Sequence, residues 1–248
     1  MRTVFYTLVL LVTFSCDKED AWGCIQTSGA PVTQELFVDP FEKILVNRDI
    51  ELVIKQGADY KVEIQTGENL LGTMEVIVVD NELQLTDPNS CNYVRDYGIT
   101  KMIVTTPVLK AIRSNTQYLT SSDGVLSFES LSLVSEDYNS SYLSIGDFNM
   151  TVDTQSIRVV ANNLSTFTIS GDTETLSVFF AAGLCEFKGA DLIAQDVTIF
   201  QRSSHDIIVN PQQSLNVDIR STGDVISIHT PPVVEVQEYY TGRLLFLD

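Results

Sequence analysis

The chain has 248 residues, 44% of them hydrophobic and 19% charged, enough for one or two folded domains. Fifteen basic side chains against 33 acidic ones give a formal net charge of −18, which repels phosphate backbones and anionic lipid and argues against a nucleic-acid partner. The same acids could equally serve as a solubilising coat, with no partner implied. Strand formers dominate and no segment carries a helical apolar stripe, so an all-β protein is expected.

Arg2 is followed by an apolar run over residues 4–14 that ends in Ser15-Cys16. This run is too short to span a bilayer and has the layout of a cleavable secretion signal over residues 1–15. A cysteine directly after the run resembles the lipobox of bacterial lipoproteins, in the relaxed form of Bacteroidota. The resemblance implies that Cys16 is acylated and becomes the new first residue. The alternative is an ordinary signal peptide cut before a plain cysteine. Removing residues 1–15 takes away Arg2 and no acid, leaving 14 basic and 33 acidic side chains, or −19. Residues 16–35 then form a lipidated tether. Within it, Asp17-Lys18-Glu19-Asp20 resembles the acidic signal that sends Bacteroidota lipoproteins to the outer face of the outer membrane. In a proteobacterium Asp17 would instead resemble an inner-membrane retention signal, so a periplasmic location is the alternative to the cell surface. Of the remaining cysteines, Cys185 falls at an inward repeat position and reads as a buried hydrophobe. Cys24 and Cys91 are left to pair in an oxidising compartment. A zinc site competes with that pairing, but no C-x-x-C occurs and neither histidine is near in sequence, so no metal is assigned.

A single β domain is expected over 36–248. Between 36 and 107, Phe41-x-x-Ile44-x-Val46 and Ile50-x-Leu52-x-Ile54 alternate at period two, as does Tyr60-x-Val62-x-Ile64. Residues 74–79 and Leu83-Gln84-Leu85 flank Asp80-Asn81-Glu82, a tight-turn candidate, and residues 101–106 form a strand stopped by Pro107. These strands are expected to form a sheet that caps one end of a repeat region beginning at 108 and covers strand edges there.

From 108 to 229 one phrase recurs, a polar turn followed by two apolar residues one position apart. Its first apolar positions are Leu143, Phe167, Cys185, Ile207 and Val225, at intervals of 24, 18, 22 and 18. A second series interleaves with it, Leu131, Ile157, Leu176, Val197 and Leu215, at intervals of 26, 19, 21 and 18. A period near 20 with apolar-x-apolar at each strand predicts a right-handed parallel β-helix, or solenoid, of about five coils. No coil buries its face alone, so stability comes from neighbour contacts. A β-sandwich is the alternative, although it gives no reason for position-matched repeats. Residues 230–248, with Val233-Val234-Glu235-Val236 and Leu244-Leu245-Phe246-Leu247, are expected to cap the far end.

Chemistry is sparse. The two histidines, His205 and His229, belong to no Ser-His-Asp order, H-E-x-x-H or G-x-S-x-G, and no phosphate-cradling glycine loop is present. Asp206 and Asp224 precede the first apolar residue of adjacent repeats, so their backbones would lie about 4.8 Å apart in a parallel stack. Such a pair can splay into water, hold a cation, or act as acid and base on a glycan. The equivalent positions on other coils read as Tyr142, Thr166 and Leu184, so no catalytic row continues. Tyr138 and Tyr142 are the candidate ligand contacts, with glycan binding set against simple capping of the core. No cofactor is expected.

Phe41-x-x-Ile44, Ile50-x-Leu52-x-Ile54-x-Gln56-Gly57, Val79-Asp80-Asn81-x-Leu83, Val104-x-x-Pro107-x-Leu109 and the polar-turn repeats resemble the putative auto-transporter adhesin family with a head GIN domain. So do Ser221-Thr222-Gly223-Asp224-Val225, Pro231-Pro232, Gly242-Arg243, and the cysteines in Trp22-Gly23-Cys24 and Cys91-Asn92-x-x-Arg95. The resemblance covers roughly 22–248 and implies a surface-anchored β-solenoid. The expected function is that of a non-catalytic cell-surface lipoprotein, held in the outer membrane by its lipid and binding a glycan or protein ligand along the solenoid's flank. A structural envelope protein that binds another membrane component, or a polysaccharide-active enzyme, are the alternatives.

Overall fold

The computed structural model describes residues 23–89, 91–96, 98–136 and 142–247. The signal, the start of the tether (residues 16–22, with Cys16) and Tyr138 lie outside the described residues.

A 3-10 turn at Gly23–Ile25 leads into β1 (Pro31–Phe37), β2 (Lys43–Arg48), β3 (Ile50–Gln56) and β4 (Lys61–Gly67). One turn of helix, α1 (Glu68–Leu71), precedes β5 (Glu75–Val79), β6 (Glu82–Thr86), β7 (Thr100–Thr106), β8 (Ala111–Thr116), β9 (Thr120–Leu126) and β10 (Ser130–Ser135). Next come four long strands, β11 (Phe148–Ala161), β12 (Thr166–Phe180), β13 (Glu186–Gln201) and β14 (Ile207–Ile219). The chain ends with β15 (Val225–Ser227), β16 (Val233–Glu238) and β17 (Leu244–Phe246). The protein is all-β, and every strand joins one curled sheet.

The sheet consists of two ladders. The first runs β5, β6, β2, β8, β10, then through the second halves of β11 to β14, and ends on β16. The second runs β1, β4, β7, β3, β9, then through the first halves of β11 to β14, and ends on β15 and β17. The long strands serve both ladders, which is what curls the sheet. Only β1, β4 and β5 run antiparallel to their partners; all the other pairings among the described residues are parallel.

The first ladder pairs Leu131, Ile157, Leu176, Val197 and Leu215 in register and continues to Val234, the interleaved series expected from the repeats. The other series needs correction. The residues that face one another are Phe148, Phe167, Phe187, Ile207, Val225 and Leu244. Leu143 is 58% exposed and lies before the strand, while Cys185 is buried but level with Ser165. Corrected intervals from Phe148 to Val225 are 19, 20, 20 and 18. The false register arises because the apolar-x-apolar phrase occurs at both Leu143-x-Ile145 and Phe148-x-Met150. Large rings decide between them. Phe148 and Phe167 stack at 4.7 Å between centroids, and Phe180 approaches Phe167 at 6.0 Å.

Two further expectations change. The strands over 36–107 do not form a separate sheet, because β2 and β3 are intercalated between β6–β7 on one side and β8–β9 on the other. The chain lays down its first pair of strands, places the second pair outside it, and returns inside with the third. At the opposite end, the expected cap over 230–248 does not form: residues 230–247 do not fold over the core. β16 and β17 extend both ladders by one more step.

Turn glycines are dictated by this stacking. A Cβ on Gly223 would stand 2.1 Å from the His205 carbonyl oxygen, so the turn can rest on its neighbour only without a side chain. Removing the Phe148 ring should cost about 3–5 kcal/mol, whereas Leu143→Ala should change stability by less than about 0.5 kcal/mol. Urea denaturation of the two variants checks the corrected register.

Candidate functional site

At the end of the molecule where the tether enters, Cys24 and Cys91 form a disulfide with a Cα separation of 4.5 Å. Arg95 reinforces it: its guanidinium donates to the carbonyls of Gln26, Asn89 and Cys91 at 3.0, 3.1 and 3.0 Å. Asn92 shapes the loop by accepting the Arg95 amide at 2.8 Å. The clamp fixes residues 24–26 against the loop after β6. Beneath it the buried Asp87 accepts Thr100 Oγ1 at 3.0 Å, and Thr100 meets Thr66 at 2.9 Å. Opening the 67-residue loop with Cys24→Ser and Cys91→Ser together should cost about 4 kcal/mol in the chain-entropy account, measurable in urea.

The structure places Asp206 and Asp224 side by side, one step before Ile207 and Val225. Their carboxylates do not converge. Asp206 Oδ1 accepts the Asp224 backbone amide at 2.8 Å, and Asp224 Oδ1 accepts the Arg243 amide at 2.8 Å. The equivalent residues are Asp147, Thr166 and Glu186, replacing the Tyr142, Thr166 and Leu184 expected from the first register. Asp147 makes the same contact, accepting the Thr166 amide at 2.8 Å. These acids tie each turn to the next. Among the described residues no three His, Cys, Asp or Glu side chains gather as a metal-ligand set. His205 and His229 are exposed turn residues. Cys185 is buried without a disulfide, and desolvation pushes its thiol up to about 11, which keeps it unreactive.

Tyr142 lines a groove of about 210 Å³ with Arg48, Asp49, Asn115, Thr116, Gln117 and Leu143. The Arg48 guanidinium lies 4.8 Å from the centre of the Tyr142 ring, and Arg48 itself sits in the left-handed region at φ 61. Gln117 Nε2 donates to Asp49 Oδ1 at 3.0 Å. Behind the groove a polar row runs into the core. Asn47 donates to Thr86 at 3.1 Å, Asn115 to Asn47 at 3.1 Å, and Ser144 to Asn115 at 3.1 Å. Burial raises the Asp49 carboxyl above its ordinary 3.8, with the Asp87 charge adding to the effect. An acid raised in the folded state favours folding while protonated and loses that advantage as pH rises through its folded pKa. Asp49→Asn should therefore raise the melting temperature at pH 7, and the gain should vanish below pH 3.8.

A surface that sequence reasoning missed lies on the outer side of the first ladder. Val134, Val160, Phe179, Phe200 and Asp218 occupy one outward column on successive strands. The Phe179 and Phe200 rings stack at 4.7 Å and 14°, and Arg220 lies over both Phe200 (5.4 Å) and Tyr239 (4.8 Å). Because the rings stack along the column, their edges rather than their faces meet solvent. The signal was available in the doublets Leu133-Val134, Val159-Val160, Phe179-Phe180 and Ile199-Phe200, which break strict alternation and force one apolar residue outward.

The sequence profile of the family described as "Putative auto-transporter adhesin, head GIN domain" matches residues 40–231. The chain belongs to this family. Among solved structures, a putative adhesin from Bacteroides fragilis NCTC 9343 aligns over 89% of this chain and 99% of its own, with a TM-score of 0.78 at 17% identity. A putative lipid binding protein from Parabacteroides distasonis ATCC 8503 aligns over 89% and 98%, with a TM-score of 0.65 at 14% identity. A putative adhesin from Parabacteroides merdae ATCC 43184 aligns over 89% and 97%, with a TM-score of 0.56 at 14% identity. At these identities the likeness establishes the fold family alone. No curated protein matches the chain. Among the described residues no helix is long and apolar enough to cross a membrane.

Proposed function

We propose that this member of the adhesin family is a non-catalytic surface lipoprotein whose two ladders form a right-handed parallel β-solenoid. Acylated Cys16 holds one end to the outer membrane, and the flank engages an extended glycan or protein. Parallel, in-register pairing at steps of 18 to 20 residues from Phe148 to Val225 supports the solenoid, since a sandwich would pair its strands antiparallel. Including the N-terminal strands, the second ladder has eleven members (β1, β4, β7, β3, β9, the four long strands, β15 and β17). Ten steps of about 4.8 Å separate the tethered end from the free end by about 48 Å.

The observation that carries the ligand reading is the outward column from Val134 to Phe200, continued by Arg220 and Tyr239. It runs along the stack: Phe179 is exposed and Val134 and Phe200 are half-buried, Val160 between them is buried, and at its end Arg220 is held by Asp218 at 2.8 Å. Ring edges suit a protein or the apolar side of a polymer better than face-on stacking of sugars. The family and its structural relatives support a binding role over catalysis. Asp206 and Asp224 lend nothing to the polysaccharide-active alternative, because both carboxylates are engaged by backbone amides.

Protease shaving of intact cells should digest the protein without lysis; protection until lysis would sink the surface reading and favour a structural envelope role. On shaved-positive cells, Phe179→Asp should lower binding in glycan and matrix-protein screens at least about tenfold, while Asp206→Asn should leave it unchanged. Equal binding by wild type and Phe179→Asp removes the flank from consideration.

A further inference from the structure

The free end of the stack is unfinished. Among the described residues β16 pairs only with β14 and β17 only with β15, so no strand covers either outer edge; on that of β17 the Leu244 amide is engaged by Glu238 Oε1 at 2.9 Å. Unpaired strand edges of this kind are templates for another strand. Between them lies the last layer of the core. Val234 and Val236 continue the inward rows of Leu215 and Val217, both almost fully buried, yet Val236 is 44% exposed because no further strand covers it. Leu244 and Phe246 continue the rows of the buried Val225 and Ser227, and Phe246 is 38% exposed. Tyr239, Tyr240 and Leu247 extend the apolar surface around the rim.

We infer that the occupant of this tip is the tip of a second copy, joined by antiparallel pairing of β16 with β16 and of β17 with β17 across a two-fold axis. Three features select it. First, the tip presents two strand edges with an apolar layer between them, and a second tip offers the same arrangement, so the contact is self-complementary and closes at two copies. Second, most of the tip's charge is paired within one copy: Arg243 lies 3.6 Å from Glu238, and Arg220 donates to both Asp218 carboxylate oxygens at 2.8 Å. Third, the opposite end of the stack is where the disulfide-clamped tether enters, so head-to-tail contact would meet the anchor.

Parity sets the register. Residues directly opposite in an antiparallel pair point to the same side. Val234 and Val236 stay on the core side only if a residue, not a peptide bond, lies on the two-fold axis, and the central residues of β16 are Glu235 and Val236. Glu235 on the axis would oppose two carboxylates, which is destabilising. Val236 on the axis instead puts Glu235 opposite Gln237 of the other copy. A tip face about 20 Å long and about 10–20 Å wide buries only about 200–400 Å² per copy, below what a stable soluble dimer needs. Such a pair is weak singly and becomes strong through many copies on facing surfaces. Tip-to-tip pairing also leaves the two tethers at opposite ends, about 100 Å apart, so paired copies bridge two membranes. This consequence rests on the anchored, surface-exposed reading above; the pairing itself does not.

Two cell populations display the full chain with different tags, each carrying Val236→Cys. The axis position brings the two Cα atoms within about 4.5–5.5 Å, inside disulfide range, and native Cys185 is buried. Mixed cells should yield a reducible species of doubled mass that contains both tags. Adding Phe246→Lys should reduce it at least about tenfold, and a control Asp59→Cys near the tethered end should give none. No doubled species from copies that shaving shows to be exposed overturns the pairing, as does an equal yield from the Asp59→Cys control. Doubled species holding a single tag only overturn the bridging geometry. If shaving shows the chain to be internal, the surface reading fails by itself, and cross-linking of Val236→Cys within lysates still decides the pairing.

Discussion

Every inner strand of the two ladders depends on its neighbours one step up and one step down. A short parallel strand with two or three inward residues cannot satisfy its backbone amides or bury its apolar face alone. In-register stacking solves both problems together. The row from Phe148 through Phe167 and Phe187 to Ile207 and Val225 is a continuous apolar column, and the backbone bonds that align it are the ones that form the ladder. The same constraint explains why the two ends are special. One is terminated by strands that turn antiparallel, and the other stops with its last layer uncovered.

Polar groups reinforce the stack at its corners. Where the chain turns between ladders, Asn47, Asn115, Ser135, Ser144 and Ser165 are buried and bonded to one another or to a neighbouring turn. Buried polar groups of this kind are stable when paired, and for these residues the neighbouring turn supplies the pair. Asp147, Asp206 and Asp224 do the same at the surface by receiving the amide of the next turn. An acid that looks like half of a catalytic pair in one dimension is a splice between repeats in three.

Much of the fold was legible because inward positions repeat. The row through Leu131, Ile157, Leu176, Val197 and Leu215 could be read directly, since each sits in an apolar-x-apolar phrase with no rival nearby. The row through Phe148 could not, because two such phrases compete within a few residues and only ring packing chooses between them. The disulfide of Cys24 and Cys91 was readable by elimination, but the Arg95 clamp on three carbonyls was not, since backbone acceptors leave no trace in side-chain pattern. Of the expected ligand residues, Tyr142 does line a groove. The outward Phe179–Phe200 stack escapes a sequence reading because an apolar doublet does not say which of its two residues faces the core.

The amino-acid sequence by itself determined the all-β class, the family, the period near 20 and the net acidity, because each is carried by residue identity and spacing along one dimension. Only the tertiary structure decided that the first strand pair lies between the second and third, that the acids of adjacent repeats serve backbone amides, and that residues 233–247 prolong the ladders instead of closing them. Those outcomes depend on which edges remain free after the rest of the chain has paired. That is a property of the whole sheet, not of any local run of residues.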